Sequence, residues 1–367
     1  MSQNTPPDLA TAGSVPRDPD HPAPLQRTGP VADAATSGGP NRLQGLFSGG
    51  AGRNLGLVIV LVLIVVAGVA TAGQQFASGD NLLTILRLAA VIGVVSIGMT
   101  FVIIGGGIDL SVGSVLGLAS VWASTLATQT MAQDTHWLVM VLTAVLVGTV
   151  AGLVNGALIA YGGVVAFIAT LAMLVAARGV AEIIAQNRTQ IVTVEPFFDV
   201  FQADVVGIPV LVWIFALVAA AGWVLLNRTT FGRRTIAVGG NPEAARLAGI
   251  KVKRHTMYLY ALSGFTAGIA GVMMLARTTA GSSTNGQLYE LDAIAAVVVG
   301  GTLLAGGRGT IVGTVFGVLI FAALSNVFVQ NNLSISVQSI AKGLIIVVAV
   351  LLQQRLAARK VGSRRRV

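Results

Sequence analysis

Asp109 is the side chain in the apolar part of this chain that is best suited to chemistry. It follows three glycines, at 105–107, and precedes Leu110 and Ser111 in a region with few other charges. An ionisable group at membrane depth commonly binds or transfers a solute, ion or proton. An Asp just before a helical stretch is also a good N-cap, because its oxygens accept free backbone N–H groups of the first turn. The sequence leaves both interpretations open.

Other polar residues lie within or beside the apolar runs. Asn155 and Thr170 could line a solute path or form hydrogen bonds between helices. Arg178 and Glu182 lie four residues apart, which places them on one helix face and favours an ion pair. Lys342, near the start of the last apolar run, is expected to extend its ammonium group toward the membrane surface.

Covalent chemistry is not indicated by the sequence. There is no Cys, and the three His residues, at 21, 136 and 255, are too scattered for an imidazole metal cluster. Residues 301–306 have the glycine spacing of a phosphate-binding loop, but Gly307 and Arg308 follow where that loop has Lys and Ser or Thr. No nucleophile–base pair is apparent. We therefore expect a non-enzymatic chain that binds no metal and no cofactor.

The elements that must position these groups are long apolar runs. Hydrophobic residues make up 54% of the 367 residues and charged residues 10%, against about 25% charged in a typical soluble domain. Most runs approach the roughly 20 residues of a membrane-spanning helix, and they lack the alternation of a membrane β-barrel. The sequence predicts an all-α, polytopic transmembrane helical bundle of about ten spans. These candidate spans are 55–72, 82–104, 110–131, 137–161, 164–184, 208–226, 257–276, 291–305, 310–329 and 337–352.

The distribution of charge predicts the orientation and the domain boundaries. Basic residues concentrate in the loop 227–256 and in the tail 355–367, whereas the loops expected on the opposite side carry mainly acids. Basic loops remain in the cytoplasm, so the net charge of +9 indicates membrane orientation better than a nucleic-acid partner. We expect residues 1–53 to be a disordered cytoplasmic tail, 54–354 to be the transmembrane domain, and both termini to lie inside the cell.

An internal repeat is suggested by two similar hexapeptides. Residues 147–152 read Val-Gly-Thr-Val-Ala-Gly and residues 312–317 read Val-Gly-Thr-Val-Phe-Gly. They fall in the fourth and ninth spans, which run in opposite directions in a ten-span topology. This predicts an inverted repeat of spans 2–5 and 7–10, a plan found in transporters. Glycines at 148, 152 and 156 and at 309, 313 and 317 form helix faces for close packing, within the chain or between subunits.

The loop between the sixth and seventh spans contains a short predicted helix. Asn241 is a good N-cap, Pro242 suits the first helical position, and Glu243 is favoured by the positive end of the helix dipole. Gly249 provides a C-terminal stop. A helix of about two turns is unstable alone in water. The pattern favours docking against a partner over a solvated basic loop.

Four stretches, in order, resemble one family. They are 105–114 (Gly-Gly-Gly-Ile-Asp-Leu-Ser-Val-Gly-Ser), 154–159 leading to 166–171, the loop 230–250, and 289–302 with Gly-Gly-Arg-Gly at 306–309. Together they resemble bacterial sugar ABC transporter permeases of the ribose, xylose and galactoside type, which share a fold with branched-chain amino-acid permeases. The resemblance implies a transport subunit for a pentose, hexose or similar neutral solute, in the bacterial inner membrane.

The resemblance also implies roles for particular residues and partners. A short helix that docks into a separate cytoplasmic ATPase would comprise Asn241, Pro242, Glu243, Ala244, Ala245, Arg246 and Gly249. The candidates for the translocation path are Asp109, Ser111, Asn155, Phe167 and Thr170. Glu290 and Asp292, at the outer end of the eighth span, could contact an external solute-binding protein or cap the helix. A second permease subunit and membrane lipid complete the expected partners, and ATP would be used by the ATPase.

Two alternatives remain at this stage. An ion-coupled secondary transporter would work without an ATPase but would be expected to carry paired intramembrane acids or His, and the spans offer little beyond Asp109. An ABC permease for branched-chain amino acids would share the fold and differ in solute.

Overall fold

The computed structural model describes residues 50–345, 347, 348 and 351. Residues 1–49 of the predicted tail 1–53, the predicted tail 355–367 and the end of the last predicted span lie outside the described residues. The helices are α1 (Gly50–Phe76), α2 (Gly79–Ile104), α3 (Val112–Ala123), α4 (Leu126–Asp134), α5 (Leu138–Ala160), α6 (Ala166–Ala185), α7 (Glu195–Phe201), α8 (Val210–Arg228), α9 (Thr230–Gly240), α10 (Pro242–Leu247), α11 (Val252–Thr278), α12 (Tyr289–Val299), α13 (Ile311–Gln330) and α14 (Ile335–Ile345).

The predominance of apolar helices agrees with the predicted helical bundle. Within the described residues, seven helices are long and apolar enough to cross a membrane: α1, α2, α5, α6, α8, α11 and α13. They coincide with seven of the predicted spans. The other three predicted spans correspond to shorter helices, α3, α12 and α14, of which α14 is described only to Ile345. The number of ten crossings therefore stays a prediction.

The third predicted span is not one continuous helix. The expected run 110–131 is divided into α3 and α4 at Ser124 and Thr125. The Thr125 hydroxyl accepts the backbone N–H of Thr128 and so starts a new helix. Ser and Thr compete for backbone hydrogen bonds in this way, which favours helix ends over helix interiors. Hydropathy alone does not reveal such a break.

The boundary between the N-terminal tail and the first span also differs from the prediction. Helix α1 begins at Gly50 and so includes residues 50–53 of the expected tail.

Two long helices form the centre of the molecule. In the most apolar 18-residue stretch of each helix, 83% of the residues of α2 and 78% of those of α11 are buried. In α1 only 11% are buried, so most of its apolar side chains are available to lipid. Helix α2 is tied to α13 by a reciprocal amide pair between Asn81 and Asn326, at 3.0 and 2.8 Å. Thr100 and Thr314 form a second hydroxyl contact between these helices at 2.8 Å.

The predicted glycine faces pack within this chain. Helix α5 lies against α11 so closely that a Cβ added at Gly148 would be 2.7 Å from the Gly268 nitrogen, and one at Gly156 would be 2.8 Å from the Met257 Cα. Gly317 of α13 meets α12 similarly, with an added Cβ 2.9 Å from the Ala296 carbonyl carbon. Small residues permit such backbone approach in membrane bundles. Of the two interpretations of these glycines, the intra-subunit one is observed.

Short strands at one end of the bundle qualify the all-α prediction. β1 (Gln190–Ile191) pairs antiparallel with β4 (Ala280–Gly281), and β2 (Asp204–Val205) pairs with β3 (Ile208–Pro209). The β1–β4 pair fastens the loop before α7 to the loop after α11, and the β2–β3 pair closes the turn between α7 and α8. Each strand has two residues, so these pairs add no layer to the fold.

Candidate functional site

Asp109 is the centre of a buried polar network between three helices. Its Oδ1 accepts hydrogen bonds from the Ser111 backbone N–H at 3.0 Å and hydroxyl at 2.6 Å, and its Oδ2 accepts one from the Ser263 hydroxyl at 2.8 Å. The Asn155 amide donates to the Ser111 hydroxyl oxygen at 2.9 Å. All four residues are at most 1% exposed. Asp109 is therefore not the predicted N-cap of α3, which begins after Ser111 with no side-chain cap hydrogen bond. Its carboxylate instead accepts the Ser111 N–H in the turn before α3 and bonds to α11.

This network contains one residue that the sequence reasoning missed and one free acceptor. Ser263 lies 154 positions from Asp109, and a Ser in a glycine-rich span commonly bonds to its own helix, so nothing in the sequence marks it. Among the described residues, the Asn155 amide oxygen has no hydrogen-bond partner. A buried unpaired acceptor is costly, and it is available to a hydroxyl or amide donor of a solute.

The other two candidate path residues lie outside this network. The Thr170 hydroxyl is buried and donates to the Ala166 carbonyl of its own helix at 2.9 Å. It also lies 3.4 Å from the Ile108 carbonyl, which Tyr260 reaches from α11 at the same distance. The structure therefore brings Thr170 close to the network. Phe167 is 53% exposed on α6 and is not brought together with it.

Arg178 lies beside the middle of α3, close to Gly117, and the expected Arg178–Glu182 ion pair is not formed within 4 Å. The Arg178 guanidinium donates instead to the backbone carbonyls of Ser283 and Asn285, the latter at 3.0 Å. Glu290 is close enough to interact electrostatically with Arg178. The backbone carbonyls of the 282–287 loop thus take the place of Glu182 as acceptors for the guanidinium. The position of this loop depends on tertiary packing, so the i, i+4 spacing on the helix does not predict it.

Glu290 and Asp292 are both largely buried. Of their two predicted roles, helix capping is not observed, because α12 has Leu288 at its N-cap and no side-chain cap hydrogen bond. Glu290 is 8% exposed, and its Oε2 has no partner in the described part of the chain. Asp292 forms a salt bridge with Lys342 at 3.0 Å, with side-chain exposures of 14% and 24%. Lys342 therefore links α14 to α12 through this pair, a contact that the sequence did not predict.

The predicted loop helix is present as α10. Asn241 adopts an extended conformation and its Oδ1 accepts the Ala244 N–H at 3.0 Å, so the predicted N-cap is observed. Pro242 occupies the first turn, and Gly249 follows the helix with a φ of +83°. Ala245 faces inward and is 4% exposed. The predicted helix at 241–249 is thus a compact, individually capped element.

The outer face of α10 is open to solvent. Glu243 and Arg246 form an exposed salt bridge at 2.9 Å. Leu247 is 83% exposed, and an isolated apolar side chain on such a short helix contributes nothing to this fold. The sequence did not indicate Leu247, because its exposure depends on which face of α10 packs against the rest of the protein.

A second loop helix, α9, was not predicted. Its three glycines weaken the helical pattern, although Phe231, Thr235 and Val238 have the spacing of a buried face. The Thr229 hydroxyl caps it by accepting the Gly232 N–H. Its buried Thr235 hydroxyl lies 2.9 Å from Nε2 of His255 on α11. This helix attaches α10 to the membrane helices.

Five glycines join α9 to the ends of two membrane segments, and we name them the glycine junction: Gly106, Gly239, Gly240, Gly306 and Gly307. The Gly307 N–H donates to the Ile104 carbonyl, the last residue of α2, at 2.8 Å. A Cβ added at Gly239 would overlap that same carbonyl oxygen, and one at Gly306 would lie 3.0 Å from the Gly106 Cα. The loop helices therefore contact both the turn that leads to Asp109 and the loop that follows α12.

These features define a multi-pass α-helical membrane protein. A family model described as "Branched-chain amino acid transport system / permease component" matches residues 81–350. The chain belongs to this family of permease components.

Individual relatives agree with that membership. The chain is 39% identical to the ribose import permease protein of Haemophilus influenzae, over 82% of this chain and 93% of the relative. It is 39% identical to that of Bacillus subtilis, over 84% and 93%. It is 36% identical to the L-arabinose ABC transporter permease protein of Azospirillum brasilense, over 90% and 95%. No solved structure gave a significant match.

Proposed function

We propose that this chain is the permease subunit of an ATP-driven importer and forms the path for a sugar across the bacterial inner membrane. The observation that carries the proposal is α10, a capped and solvent-exposed helix on a basic loop that is connected through the glycine junction to the membrane segments. Its similarity to ribose and arabinose permeases supports a sugar as the solute. A separate ATPase would supply the energy, and this chain would perform no covalent chemistry.

The coupling step follows from the contacts of α9 and α10. An ATPase that moves on binding ATP would displace the exposed face of α10, formed by Glu243, Arg246 and Leu247. Since α9 packs against α2 without intervening side chains at Gly239, the displacement would pass to the turn at 105–107. That turn leads directly to Asp109 and α3.

The proposed path includes the buried network and the neighbouring Thr170. In this conformation Asp109, Ser111 and Asn155 are sealed from solvent, as expected of a permease closed at that level. Movement of α3 relative to α11 would separate the Asp109 carboxylate from Ser263. The freed carboxylate and the Asn155 amide oxygen would then accept hydrogen bonds from solute hydroxyls. Phe167 would belong to the path only if its exposed face on α6 lines a cavity with a second subunit.

A ten-span inverted repeat is part of the proposal. Supporting it, α2 and α11 are both long and largely buried, α3 and α12 are both short, and α5 and α13 both carry glycine faces. The contacts cross between the two halves, because α11 packs on α3 and α5 whereas α2 packs on α12 and α13. Inward-facing termini and basic loops follow from the charge distribution.

The remaining partners are proposed from the relatives and from position. A second permease subunit, identical or different, would complete the path, and a solute-binding protein would deliver the sugar from outside. Contact of that protein with Glu290 and Asp292 would require these carboxylates to become more accessible than they are here. The family description also names branched-chain amino acids, so competition of labelled ribose uptake by leucine would distinguish the two solute classes.

Co-purification of the ATPase tests the coupling proposal directly. Leu247→Asp places a charge at the proposed docking surface, and loss of an interface anchor costs about 2 kcal/mol or more, equivalent to roughly thirtyfold in affinity. We expect this variant to insert normally but to retain little ATPase. Val206→Asp is the matched control, since Val206 is 89% exposed on the β2–β3 turn at the opposite end. Equal ATPase retention by the two variants would contradict docking at α10.

A further inference from the structure

A cavity of about 490 Å³ lies beside α10, between α9 and the start of α11. Gly249 and Ile250 form one side, Phe231 and Arg234 another, and the first turns of α11 close it. It is thus bounded by the connection that follows α10, by α9, and by the first turns of α11.

The cavity is cationic. Arg234, Lys251 and Arg254 line it, and no Asp or Glu does. None of the three has an acidic partner within 4 Å in the part of the chain that the structure describes. Arg254 donates from Nε to the Tyr258 hydroxyl at 2.6 Å, which fixes its guanidinium and leaves the terminal nitrogens free for another acceptor. Three unneutralised cations around one cavity favour an anionic ligand.

The position and the apolar wall narrow the ligand class. Phe231, Ile250 and Tyr258 give the cavity an apolar side, and its wall includes the first turns of α11, which is long and apolar enough to cross a membrane. On the adjacent α8, Arg228 lies 5.4 Å over the Trp223 ring, an aromatic–basic pair typical of the headgroup level. Basic pockets between membrane helices on the cytoplasmic side are suited to anionic lipid headgroups.

We propose that this cavity binds the phosphate headgroup of an anionic phospholipid of the inner leaflet. The inference relies on the inward orientation in the proposed function. Because Gly249 and Ile250 line the cavity, a bound headgroup contacts the connection between α10 and α11. Lipid occupancy would therefore fix the position of the proposed coupling helix.

The general attraction of basic loops to the membrane is the competing explanation, and the chain offers matched controls for it. Arg233 and Lys253 are exposed cations on the same two helices, but they do not line the cavity. Removing them lowers the net charge of the loop as much as removing Arg234 or Lys251. If the lipid binds in the cavity, substitution of Arg234 or Lys251 should weaken lipid binding more than substitution of Arg233 or Lys253. Diffuse electrostatic attraction predicts equal losses for both pairs.

The test uses the full-length chain incorporated into phosphatidylcholine vesicles with and without phosphatidylglycerol, then extracted and weighed by native mass spectrometry. We expect phosphatidylglycerol to be retained, and retention to fall roughly fivefold for each cation removed in Arg234→Gln, Lys251→Gln or Arg254→Gln. Arg233→Gln and Lys253→Gln should retain it. Equal loss in both sets, or no retention by the native chain, would overturn the proposal.

Two further arms identify the source of the anion. Inorganic phosphate should not displace the lipid; displacement at physiological concentration would indicate a soluble ligand instead. If the cavity variants keep the lipid but lose the ATPase in co-purification, an acidic partner side chain occupies the cavity and the proposal fails. Co-purification of the ATPase with the native chain reports on the proposed function independently of lipid retention.

Discussion

At the scale of single residues, the buried carboxylate of Asp109 is stabilised by neighbours from distant parts of the chain. Its three hydrogen bonds come from Ser111, next to it in sequence, and from Ser263 on α11. In a membrane interior, no water is available to form hydrogen bonds with an unsatisfied polar group. The Ser263–Asp109 hydrogen bond therefore ties the turn before α3 to α11.

Ser263→Ala should weaken this connection measurably. The substitution removes the donor to Asp109 Oδ2, and an unsatisfied buried acceptor costs roughly 1–3 kcal/mol. We expect the free energy of unfolding in mixed detergent micelles to fall by that amount. Thr149→Ala is the control, because the Thr149 hydroxyl donates to Val145 of its own helix; a change within about 0.5 kcal/mol is expected. A loss in Ser263→Ala no larger than in the control would contradict the network.

The Asp292–Lys342 salt bridge offers a second test at this scale. Both side chains are largely buried, and removing one partner of such a pair costs about 3 kcal/mol, whereas replacing both is nearly neutral. We expect Lys342→Met alone to destabilise the chain and Asp292→Leu/Lys342→Met to recover most of the loss. The measurement is a double-mutant cycle on unfolding free energies. Additive effects of the two substitutions would show that the charges do not interact.

Residue-level interactions were predictable where they are local. The Asn241 cap follows from three neighbouring residues, since N-capping depends on side chain and backbone within one turn. The Asp109–Ser263 bond and the Asp292–Lys342 pair depend on tertiary packing. The sequence therefore indicated Asp109 and Lys342 as candidates without identifying the partner of either.

At the scale of elements, the glycine junction is the feature on which the proposed coupling depends. Helix α9 approaches the end of α2 so closely that only glycine fits at 239. Side chains there would separate the loop helices from the membrane segments, while leaving α10 and its docking surface intact.

Gly239→Ala and Gly240→Ala form a matched pair. Alanine at 239 would overlap the Ile104 carbonyl oxygen, whereas a Cβ at 240 meets nothing within 4 Å. We expect Gly239→Ala to keep the ATPase bound but to lower ATP-driven uptake at least tenfold, because a shift of about 1 Å away from the aligned geometry can cost two orders of magnitude. Gly240→Ala should transport normally. Equal uptake by the two variants would exclude the junction as the connection.

The elements were predicted with uneven success for a physical reason. Long apolar runs predicted the seven long helices, because a helix that faces lipid must be apolar throughout. The division of the third span was missed, since Ser124 and Thr125 are only weakly polar and hydropathy averages over them. The helix α9 was missed because its glycines, which permit the close contact with α2, also lower its helical propensity.

At the scale of the whole molecule, we propose that this chain provides the transport path and that a separate ATPase subunit provides the energy. The two candidate sites lie on one continuous structure: α10 is connected through α9 and the glycine junction to the turn before Asp109. The phosphate-binding sequence expected of an ATPase is absent from the chain. The family and its ribose and arabinose relatives are permease components. The chain should therefore be unable to accumulate solute by itself.

Uptake by purified components tests this central claim most directly. The full-length chain is reconstituted in proteoliposomes with the proposed binding protein and labelled ribose, with or without the proposed ATPase subunit. The account predicts uphill uptake only when both the ATPase and ATP are present, irrespective of imposed sodium or proton gradients. Uphill uptake by the chain alone, driven by an ion gradient, would contradict it and would identify an ion-coupled secondary transporter.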